Sequence, residues 1–328
     1  MKERILVTGG AGFIGSHLCE SLLNRGYQVV AIDDLSTGKL KNIEYLITQP
    51  DFLFVRETIT NTQVLDRLTS ESDLVIHLAA AVGVKLIIEN PVHTIRTNII
   101  GTETVLSTAN RYGRKVLIAS TSEVYGKGIS VPFHESDDRL IGPTTHNRWA
   151  YATSKAVDEF LGLAYHRQFG LPVVIMRFFN TIGPRQTGRY GMVVPRFTRQ
   201  ALQGEPVTVY GDGKQSRCFA DVSDVVGAVI KLSHHPGAVG DVFNIGSTEE
   251  VNIFELAKRV ITLSNSQSEI EFIPYDQAYA PGFEDMRRRR PSIEKLTKLI
   301  GYQPQYTLND SLSRVIHYER ERMSESGS

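Results

Sequence analysis

The sequence predicts a doubly wound α/β fold. Three observations predict it. Short β-branched runs alternate with amphipathic helical patterns through the first half of the chain, the strand candidates are apolar on both faces, and a glycine-rich turn joins the first strand to the first helix. The 328 residues are enough for one large domain or for two domains that share a core.

Six strands and three long helices are predicted in the first half of the chain. Each strand candidate is a short apolar run rich in Val, Ile and Leu, whereas apolar residues recur on one side of each helix. The strands cover residues 4–7, 28–32, 52–55, 74–77, 115–119 and 173–176, and the helices cover residues 13–25, 92–112 and 150–169. Strands and helices that alternate in this way build a parallel sheet.

After about residue 180 glycine and proline become frequent and the elements become shorter. A helix at 221–232 and an apolar strand at 242–245 then resume the earlier pattern, so the chain is expected to return to the large sheet. The predicted division is a large domain of residues 1–180 completed by about 221–250, a smaller C-terminal lobe of residues 181–220 and 251–322, and a disordered polar tail of residues 323–328.

The charge balance excludes several classes of partner. The chain carries 36 basic and 36 acidic side chains, which predicts no general attraction to nucleic acid or to an anionic membrane. Any phosphate must therefore be bound by local residues. No apolar run approaches the roughly 20 residues of a membrane span, and no signal peptide precedes the first strand, so we expect a cytoplasmic protein.

The two cysteines, Cys19 and Cys218, are far apart in the sequence. Each stands in an apolar context, one on a predicted helix and one in a predicted strand. We interpret both as small buried residues and predict neither a disulfide nor a metal site.

A glycine-rich turn follows the first strand. Gly9, Gly12 and Gly15 allow a tight turn, a close approach of backbone amides to a pyrophosphate, and close packing of helix against strand. Asp33 ends the second strand, where its carboxylate would accept hydrogen bonds from the adenosine ribose and repel a 2′-phosphate, which favours NAD over NADP. The alternative is a plain strand–helix turn with an incidental acidic residue.

Tyr151 and Lys155 are four residues apart in a predicted helix and therefore project from one face. A tyrosine near its reference pKa of about 10 is a poor base at neutral pH, but an adjacent ammonium and a nicotinamide cation would stabilise the phenolate. Thr121 follows the fifth strand, where ligands bind in such folds, and could hold a sugar hydroxyl. The alternative is a solvated lysine beside a half-buried tyrosine.

Six segments together resemble the extended short-chain dehydrogenase/reductases, in the group of NAD-dependent nucleotide-sugar epimerases, dehydratases and decarboxylases. The resemblance covers residues 4 to about 318 and implies a Rossmann sheet with a smaller nucleotide-sugar-binding lobe. Its motifs are TGGAGFIGSH at 8–17, HLAA at 77–80, TSEVYG at 121–126, YATSK at 151–155, RFFNTIGPR at 177–185 and QSRCFADVSDV at 215–225.

The resemblance implies a role for each matching residue. Tyr151 would be the general base, Lys155 would bind the nicotinamide ribose and Thr121 would bind the 4-hydroxyl of the sugar. Asn98 would support the active-site helix, and Asn180 and Arg217 would hold the nucleotide diphosphate. Further contacts are implied for Phe13, Ile14 and Ala79 with the cofactor, and for Arg185 and Val194 with the substrate. Relatives also form homodimers through helices 92–112 and 150–169, where Val157, Leu161 and Ala164 would suit the interface.

Members of the group differ in the step after oxidation of the 4-hydroxyl. Dehydratases usually carry Asp-Glu after the threonine, whereas this chain has Ser122 and Glu123, which resembles the UDP-glucuronate decarboxylases. The run at 147–151 and the segments at 282–285 and 289–293 resemble the same enzymes, in which the arginine matching Arg289 acts on the sugar carboxylate. For the run 287–290 as a whole, a solvated basic loop is the simpler interpretation.

The sequence therefore predicts an enzyme that oxidises a UDP-sugar transiently with NAD, and most closely a UDP-glucuronate decarboxylase. A UDP-sugar 4-epimerase is the alternative reaction, because the YATSK motif at 151–155 fits both. The non-enzyme alternative is an NAD-binding sensor or scaffold, although such proteins usually lack the tyrosine or the lysine.

Overall fold

A computed structural model of the chain describes residues 2–82, 90–128, 130–188, 192–278 and 286–326. Its strands, numbered along the chain, are β1 (Arg4–Thr8), β2 (Gln28–Ile32), β3 (Phe52–Val55), β4 (Leu74–His77), β5 (Lys115–Thr121), β6 (Val173–Phe178), β7 (Thr181–Ile182), β8 (Val207–Tyr210), β9 (Ser216–Cys218), β10 (Ala220–Asp221), β11 (Asp241–Ile245), β12 (Glu250–Asn252), β13 (Ile270–Ile273) and β14 (Arg288–Arg289).

The α-helices of the described residues are α1 (Phe13–Leu23), α2 (Thr62–Ser70), α3 (Pro91–Tyr112), α4 (Arg148–Phe169), α5 (Val193–Gln203), α6 (Val222–His234), α7 (Ile253–Ser264), α8 (Tyr275–Ala278), α9 (Glu294–Ile300) and α10 (Leu308–Ser326). Both α3 and α4 end where a glycine, Gly113 or Gly170, takes the left-handed conformation. The predicted helices are confirmed, with ends that differ by one or two residues.

A seven-stranded parallel sheet with the order β11-β6-β5-β4-β1-β2-β3 forms the centre of the molecule. The six strands predicted in the first half of the chain are all in it, and the strand predicted at 242–245 is also confirmed, as β11 at the edge beside β6. Strand β5 runs two residues further than predicted, because Ser120 and Thr121 still pair with Arg177 and Phe178 of β6. The fold class is therefore the doubly wound α/β sheet that the sequence predicts.

Each face of this sheet packs against its own helices. Alternate side chains of a strand point to opposite faces, so Ile5 and Val7 of β1 join one apolar cluster and Leu6 joins the other. The first cluster includes residues of α1 and α6, and the second includes residues of α2 and α3. Strands buried on both faces explain why the sequence shows continuous apolar runs rather than alternation.

Three small sheets lie outside the central one. Strand β7 pairs with β10, β13 pairs with β8, and β9 lies between β12 and β14. A third apolar cluster holds this region together, and it contains Phe197 of α5, Leu256 of α7 and Leu312 of α10. Cys19 and Cys218 are both buried and free, as predicted. Of the helices in the described ranges, none is long and apolar enough to cross a membrane.

Helix α10 corrects one prediction. It continues to Ser326, whereas the sequence predicted a disordered tail from Met323. Near its end Glu325 forms an exposed ion pair with Lys41, which is distant along the chain and so is not revealed by the local sequence. Arg322 and Glu319 form a further pair three residues apart, which supports a helix.

Candidate active site

A cavity of about 470 Å³ opens at the carboxyl ends of the central strands. It is bordered by the turn after β1, by Ala119 to Thr121 at the end of β5 and by Phe178 at the end of β6. Four basic side chains and one acidic side chain line it, namely Lys155, Arg196, Arg217, Arg289 and Glu123. A chain with no net charge thus concentrates positive charge in one cavity, which suits an anionic ligand.

The glycine turn at one end of the cavity leaves no room for side chains. Gly9 has a φ of +72°, and a Cβ atom on Gly15 would lie 2.1 Å from the carbonyl oxygen of Gly9. Helix α1 begins after Gly12, which supplies no side-chain cap. The first amides of the helix are therefore available to a phosphate group, and Gly9, Gly12, Phe13, Ile14 and Gly15 all line the cavity.

Asp33 stands beside this turn at the end of β2. Its two carboxylate oxygens accept hydrogen bonds from Ala11 N, at 3.0 Å, and from Leu35 N, at 2.8 Å. Burial raises the pKa of Asp33, and the bond from Leu35 opposes that shift. Ala79 contributes its backbone, because its amide donates to Thr8 Oγ1 at 3.1 Å and lies against Gly9. Both predicted cofactor contacts are thus next to the glycine turn.

Thr121 and Tyr151 meet in the middle of the cavity lining. Thr121 Oγ1 accepts a hydrogen bond from Glu123 N at 3.2 Å, which starts the short 3-10 turn Ser122–Tyr125. The same hydroxyl hydrogen-bonds to Tyr151. Ser122 is almost fully buried and, like Glu123, lines the cavity.

The electrostatics of Tyr151 differ from the prediction. In the protein by itself burial raises the pKa of the phenol, the carboxylate of Glu123 raises it further, and the hydrogen bond from Thr121 lowers it. The ammonium of Lys155, expected to lower that pKa, instead donates to Asp158 Oδ2 at 2.6 Å. The negative charge of Asp158 also raises the pKa of Tyr151.

Asn98 of α3 supports the helix that carries Tyr151. Its amide group donates to Ser154 Oγ at 3.1 Å, and Ser154 Oγ donates in turn to the carbonyl oxygen of Tyr151 at 2.9 Å. Its carbonyl oxygen accepts from Ala81 N at 2.8 Å. The implied support is therefore made through a serine side chain.

Arg289 is held in the cavity by two partners. Its guanidinium donates to the carboxylate of Glu123 and, at 2.9 Å, to Asn180 Oδ1. Asn180 is fixed in turn, because its amide donates to the carbonyl oxygen of Cys218 at 2.9 Å. Only 12% of the Arg289 side chain is exposed, so the solvated-loop interpretation does not apply to this arginine. The motif at 282–285 lies outside the described residues.

Arg217 and Arg289 are neighbours across two paired strands. Parallel pairing of β14 with β9 sets Arg289 opposite Arg217, and both side chains line the cavity. Arg217 is buried and donates to the carbonyl oxygen of Ser216 at 2.7 Å. Two guanidinium groups on adjacent strands can bind two anionic groups of one ligand.

Two further predicted substrate residues differ in their placement. Val194, on the first turn of α5, is buried and lines the cavity. Arg185 instead donates to Glu20 at 2.7 Å and lies 5.3 Å from the centre of the Tyr45 ring, so its assigned contact stays a prediction.

Sequence reasoning missed several residues of the lining, among them Arg196, Tyr210 and Tyr275. The Arg196 guanidinium lies 3.9 Å from the centre of the Tyr210 ring. None of the three carries a sequence signal, because they come from separate elements, α5, β8 and α8.

Comparison with known proteins assigns this arrangement to a family. The NAD dependent epimerase/dehydratase family matches residues 5–246, which include the glycine turn, Thr121, Tyr151 and Lys155. The chain belongs to this family. It is 44% identical to a UDP-N-acetyl-alpha-D-glucosaminuronate decarboxylase of Bacillus cytotoxicus over 98% of this chain and 99% of that protein.

Two further similar proteins are a decarboxylase and a 4-epimerase. UDP-glucuronic acid decarboxylase 1 of Danio rerio is 38% identical over 97% of this chain and 72% of its own length. The crystal structure of UDP-glucuronic acid 4-epimerase from Bacillus cereus, in complex with UDP-glucuronic acid and NAD, has a TM-score of 0.86 at 33% identity and covers 97% of this chain and 99% of that one. The chain is therefore an enzyme of nucleotide-sugar metabolism, and the scaffold alternative loses its support.

Proposed function

We propose that this enzyme decarboxylates a UDP-hexuronate, with UDP-glucuronate as the substrate predicted from the sequence, through transient oxidation at C4 by NAD. The observation that carries the proposal is the placement of Arg289 and Glu123 together in the cavity that holds Tyr151. A diphosphate and a sugar carboxylate both need cations, and the cavity supplies them on adjacent strands.

The glycine turn fits a dinucleotide. A Cβ atom on Gly15 would strike the backbone of the same turn, so that turn can close only around glycine and leaves the amides of α1 open. Gly9, Gly12 and Gly15 would hold the pyrophosphate, Asp33 the adenosine ribose, and Lys155 the nicotinamide ribose. When bound, NAD accepts a hydride from C4 of the sugar and later returns it.

Tyr151 would remove the proton of the 4-hydroxyl while Thr121 holds the oxygen. The raised pKa of Tyr151 requires a source of positive charge before the phenolate can form near neutral pH. Arg289 of β14 already lowers the pKa of Tyr151. The ammonium of Lys155, which also lines the cavity, is a second cation and is on the same helix as Tyr151.

The 4-keto group, which is β to the carboxylate, then makes decarboxylation possible. The C5–carboxylate bond breaks, carbon dioxide leaves, and the electron pair moves into the ketone to give an enolate. Arg289 would orient the departing carboxylate. Glu123 is an ionised carboxylate in its pair with Arg289, so it would first take up a proton from solvent and then pass that proton to C5. Because Arg289 is pre-organised by Glu123 and Asn180, its placement requires little rearrangement.

The sugar substituent at C2 is the second point to test. The Bacillus cytotoxicus relative is named for an N-acetylated hexuronate, whereas the Danio rerio relative is named for glucuronic acid. Identity is higher, and over nearly the full length, to the former, so UDP-N-acetylglucosaminuronate is a candidate substrate beside the UDP-glucuronate predicted from the sequence.

A proton NMR time course with each UDP-hexuronate separates these outcomes. We expect carbon dioxide and a UDP-pentose, or its 2-N-acetyl counterpart, and no turnover by Tyr151→Phe. A product that retains the carboxylate and differs only at C4 would instead support a 4-epimerase, the reaction of the Bacillus cereus neighbour. Absence of turnover with both substrates would refute the proposal.

Glu123→Gln tests the step after oxidation. The glutamine keeps the shape of the side chain but removes its proton-donating ability and its charge. We expect a lasting rise of absorbance at 340 nm on substrate addition, at most one carbon dioxide per enzyme and no UDP-pentose, because C5 is not protonated. Turnover to UDP-pentose at the wild-type rate by this variant would refute the assigned role.

We also propose that the enzyme is a homodimer through α3 and α4. These long helices pack together and leave large apolar side chains in solvent, of which Val92 is 69% and Phe160 62% exposed. Ala164 is also exposed, and Val157 and Leu161 are partly so. Light scattering should give the mass of two chains for the wild type and of one chain for Phe160→Lys, and a monomeric wild type would contradict this.

A further inference from the structure

A buried ion pair lies at the base of the active-site helix. Lys155 Nζ donates to Asp158 Oδ2 at 2.6 Å, and their side chains are 2% and 0% exposed. Burying two charges is costly, and one oxygen of this pair, Asp158 Oδ1, is buried without a hydrogen-bond partner in the described part of the chain. Asp158 is one turn after Lys155 on α4 and lies outside the YATSK motif at 151–155.

A line of polar side chains continues behind Asp158 into the core. Thr102 of α3 lies beside the Asp158 carboxyl and lowers its pKa, and Asp158 Oδ1 is buried with no hydrogen-bond partner among the described residues. Its Oγ1 lies 3.0 Å from His77 Nε2, and His77 Nδ1 lies 2.8 Å from Thr8 Oγ1. Thr8 Oγ1 also accepts from the amide of Ala79, beside the glycine turn. All three side chains are buried.

The chemistry of these groups fixes the direction of every hydrogen bond. An ionised carboxylate only accepts, so the Thr102 hydroxyl can interact with Asp158 only as a donor, and Thr102 Oγ1 then accepts from His77 Nε2–H. Burial lowers the pKa of His77 to about 3, so the ring is neutral and its Nδ1 accepts the proton of Thr8. The bonds therefore all point from the Ala79 amide toward Asp158, where they meet the ammonium of Lys155 from the other side.

We propose that Asp158 is a positioning residue for the oxidation, because it fixes the Lys155 ammonium at the cavity wall. The polar side chains of Thr102, His77 and Thr8 lie behind Asp158 and connect it to the glycine turn. The inference rests on the proposed function, because it concerns the lysine assigned to the nicotinamide ribose. The position and charge of that lysine would then depend on a residue that touches neither substrate nor cofactor.

A neighbouring pair shows what a purely structural role would look like. Glu159, the next residue on α4, accepts two hydrogen bonds from Arg177, at 2.9 and 2.8 Å. This pair ties α4 to β6, and neither residue lines the cavity. Glu159→Gln makes the same chemical change as Asp158→Asn, one residue away, and serves as the matched control.

The charged and titratable groups that act on the Lys155–Asp158 pair come from several elements. Glu159 on α4 raises the pKa of Asp158, and the charge of Lys155 lowers the pKa of His77 on β4. Tyr151 on α4 is influenced by Asp158, by Glu123 after β5 and by Arg289 on β14. Asp158 raises the pKa of Tyr151, so its neutralisation moves the acid limb of the rate profile to lower pH.

The pH dependence of turnover is the first test. For Asp158→Asn we expect the acid limb of the profile to move to lower pH by about one unit, the lower end of the shift that a nearby charge causes. Glu159→Gln should unfold at lower temperature and move the acid limb by clearly less, because Glu159 acts on Asp158 rather than on Tyr151. An unshifted profile for Asp158→Asn, or an equal shift for both variants, would overturn the proposal.

A second test needs neither cofactor nor turnover. In protein labelled with ¹⁵N-lysine, a buried, hydrogen-bonded ammonium exchanges slowly and gives a signal near neutral pH. We expect such a signal in the wild type and in Glu159→Gln, and its loss in Lys155→Met and Asp158→Asn. Persistence of the signal in Asp158→Asn would overturn the proposal.

The two tests distinguish this inference from the proposed function. If the lysine signal behaves as expected but no UDP-hexuronate is turned over, the proposed function fails and the anchoring of Lys155 stands. If Asp158→Asn does not fold, Thr102→Val replaces it. Valine has nearly the shape of threonine but lacks the hydroxyl that faces Asp158 and His77. A weakened lysine signal is then expected, and an unchanged signal would overturn the proposal.

Discussion

Replacing Gly15 by alanine should distort the glycine turn more than an alanine at any other glycine of that turn. The new Cβ atom would lie 2.1 Å from the Gly9 carbonyl oxygen and 2.9 Å from both the Gly10 Cα and the Gly9 carbonyl carbon. Ordinary carbon contacts begin at about 3.5 Å, so the turn must open by roughly 1 Å. All three contacts are with backbone, which cannot rotate away as a side chain could.

The cost can be bounded from overpacking in other cores. Inserted methyl groups typically cost about 1–3 kcal/mol, and we expect the upper end here because the strain is borne by backbone on both sides. The turn would also lose the shape that exposes the amides of α1. Urea unfolding without NAD measures the first effect, and calorimetric titration with NAD measures the second.

Two alanine controls make the result interpretable. A Cβ atom added to Gly227 of α6 would have nothing within 4 Å, so Gly227→Ala should be neutral or stabilising by up to about 1 kcal/mol. A Cβ on Gly12 meets only the Gly9 carbonyl oxygen, at 3.1 Å, so Gly12→Ala should fold but bind NAD weakly. Wild-type stability and NAD affinity for Gly15→Ala would refute the reasoning.

The buried charges and the cavity give three further predictions. Burial lowers the pKa of His77 to about 3, so below about pH 6.5 the unfolded chain takes up a proton that the folded chain does not. The free energy of unfolding should therefore fall between pH 6.5 and 3, by up to about 1.4 kcal/mol per pH unit from this group. His77→Gln should flatten that slope in urea titrations. Lys155→Met and Asp158→Asn should each cost about 3–5 kcal/mol, because each leaves one buried charge unpaired, whereas the double variant should cost less than the sum; additive costs would show that the pair is uncoupled. Arg289→Met should lose at least about a hundredfold in kcat/KM for the UDP-hexuronate, since a charge-assisted contact to a carboxylate is removed, and a loss of less than about threefold would contradict its role.

Much of the fold can be predicted from local patterns. The strands of the central sheet are continuous apolar runs. The glycines are needed because the turn between β1 and α1 has no room for a Cβ atom, and this can be judged from that strand–turn–helix unit alone. The spacing of Tyr151 and Lys155 on one helix likewise predicts that they share a face. These features depend on residues close together in the chain, which is why a single sequence reveals them.

The remaining features depend on contacts between distant segments. Arg217 and Arg289 become neighbours only because β9 and β14 pair, and both strands are too short to show a pattern. Arg185 forms an ion pair with Glu20 of α1, and Lys155 forms one with Asp158, whereas the sequence suggested other partners for both. Charged side chains have several possible partners, and only the packing of the whole chain selects one.

The most direct test of the central claim uses UDP-glucuronate deuterated at C4. If hydride leaves C4, carbon dioxide departs from C5 and the same hydride returns, the UDP-pentose formed in ordinary water should retain deuterium at C4. Mass spectrometry and proton NMR of the product measure this. A pentose with protium at C4, or a product that still carries the carboxylate, would contradict the account.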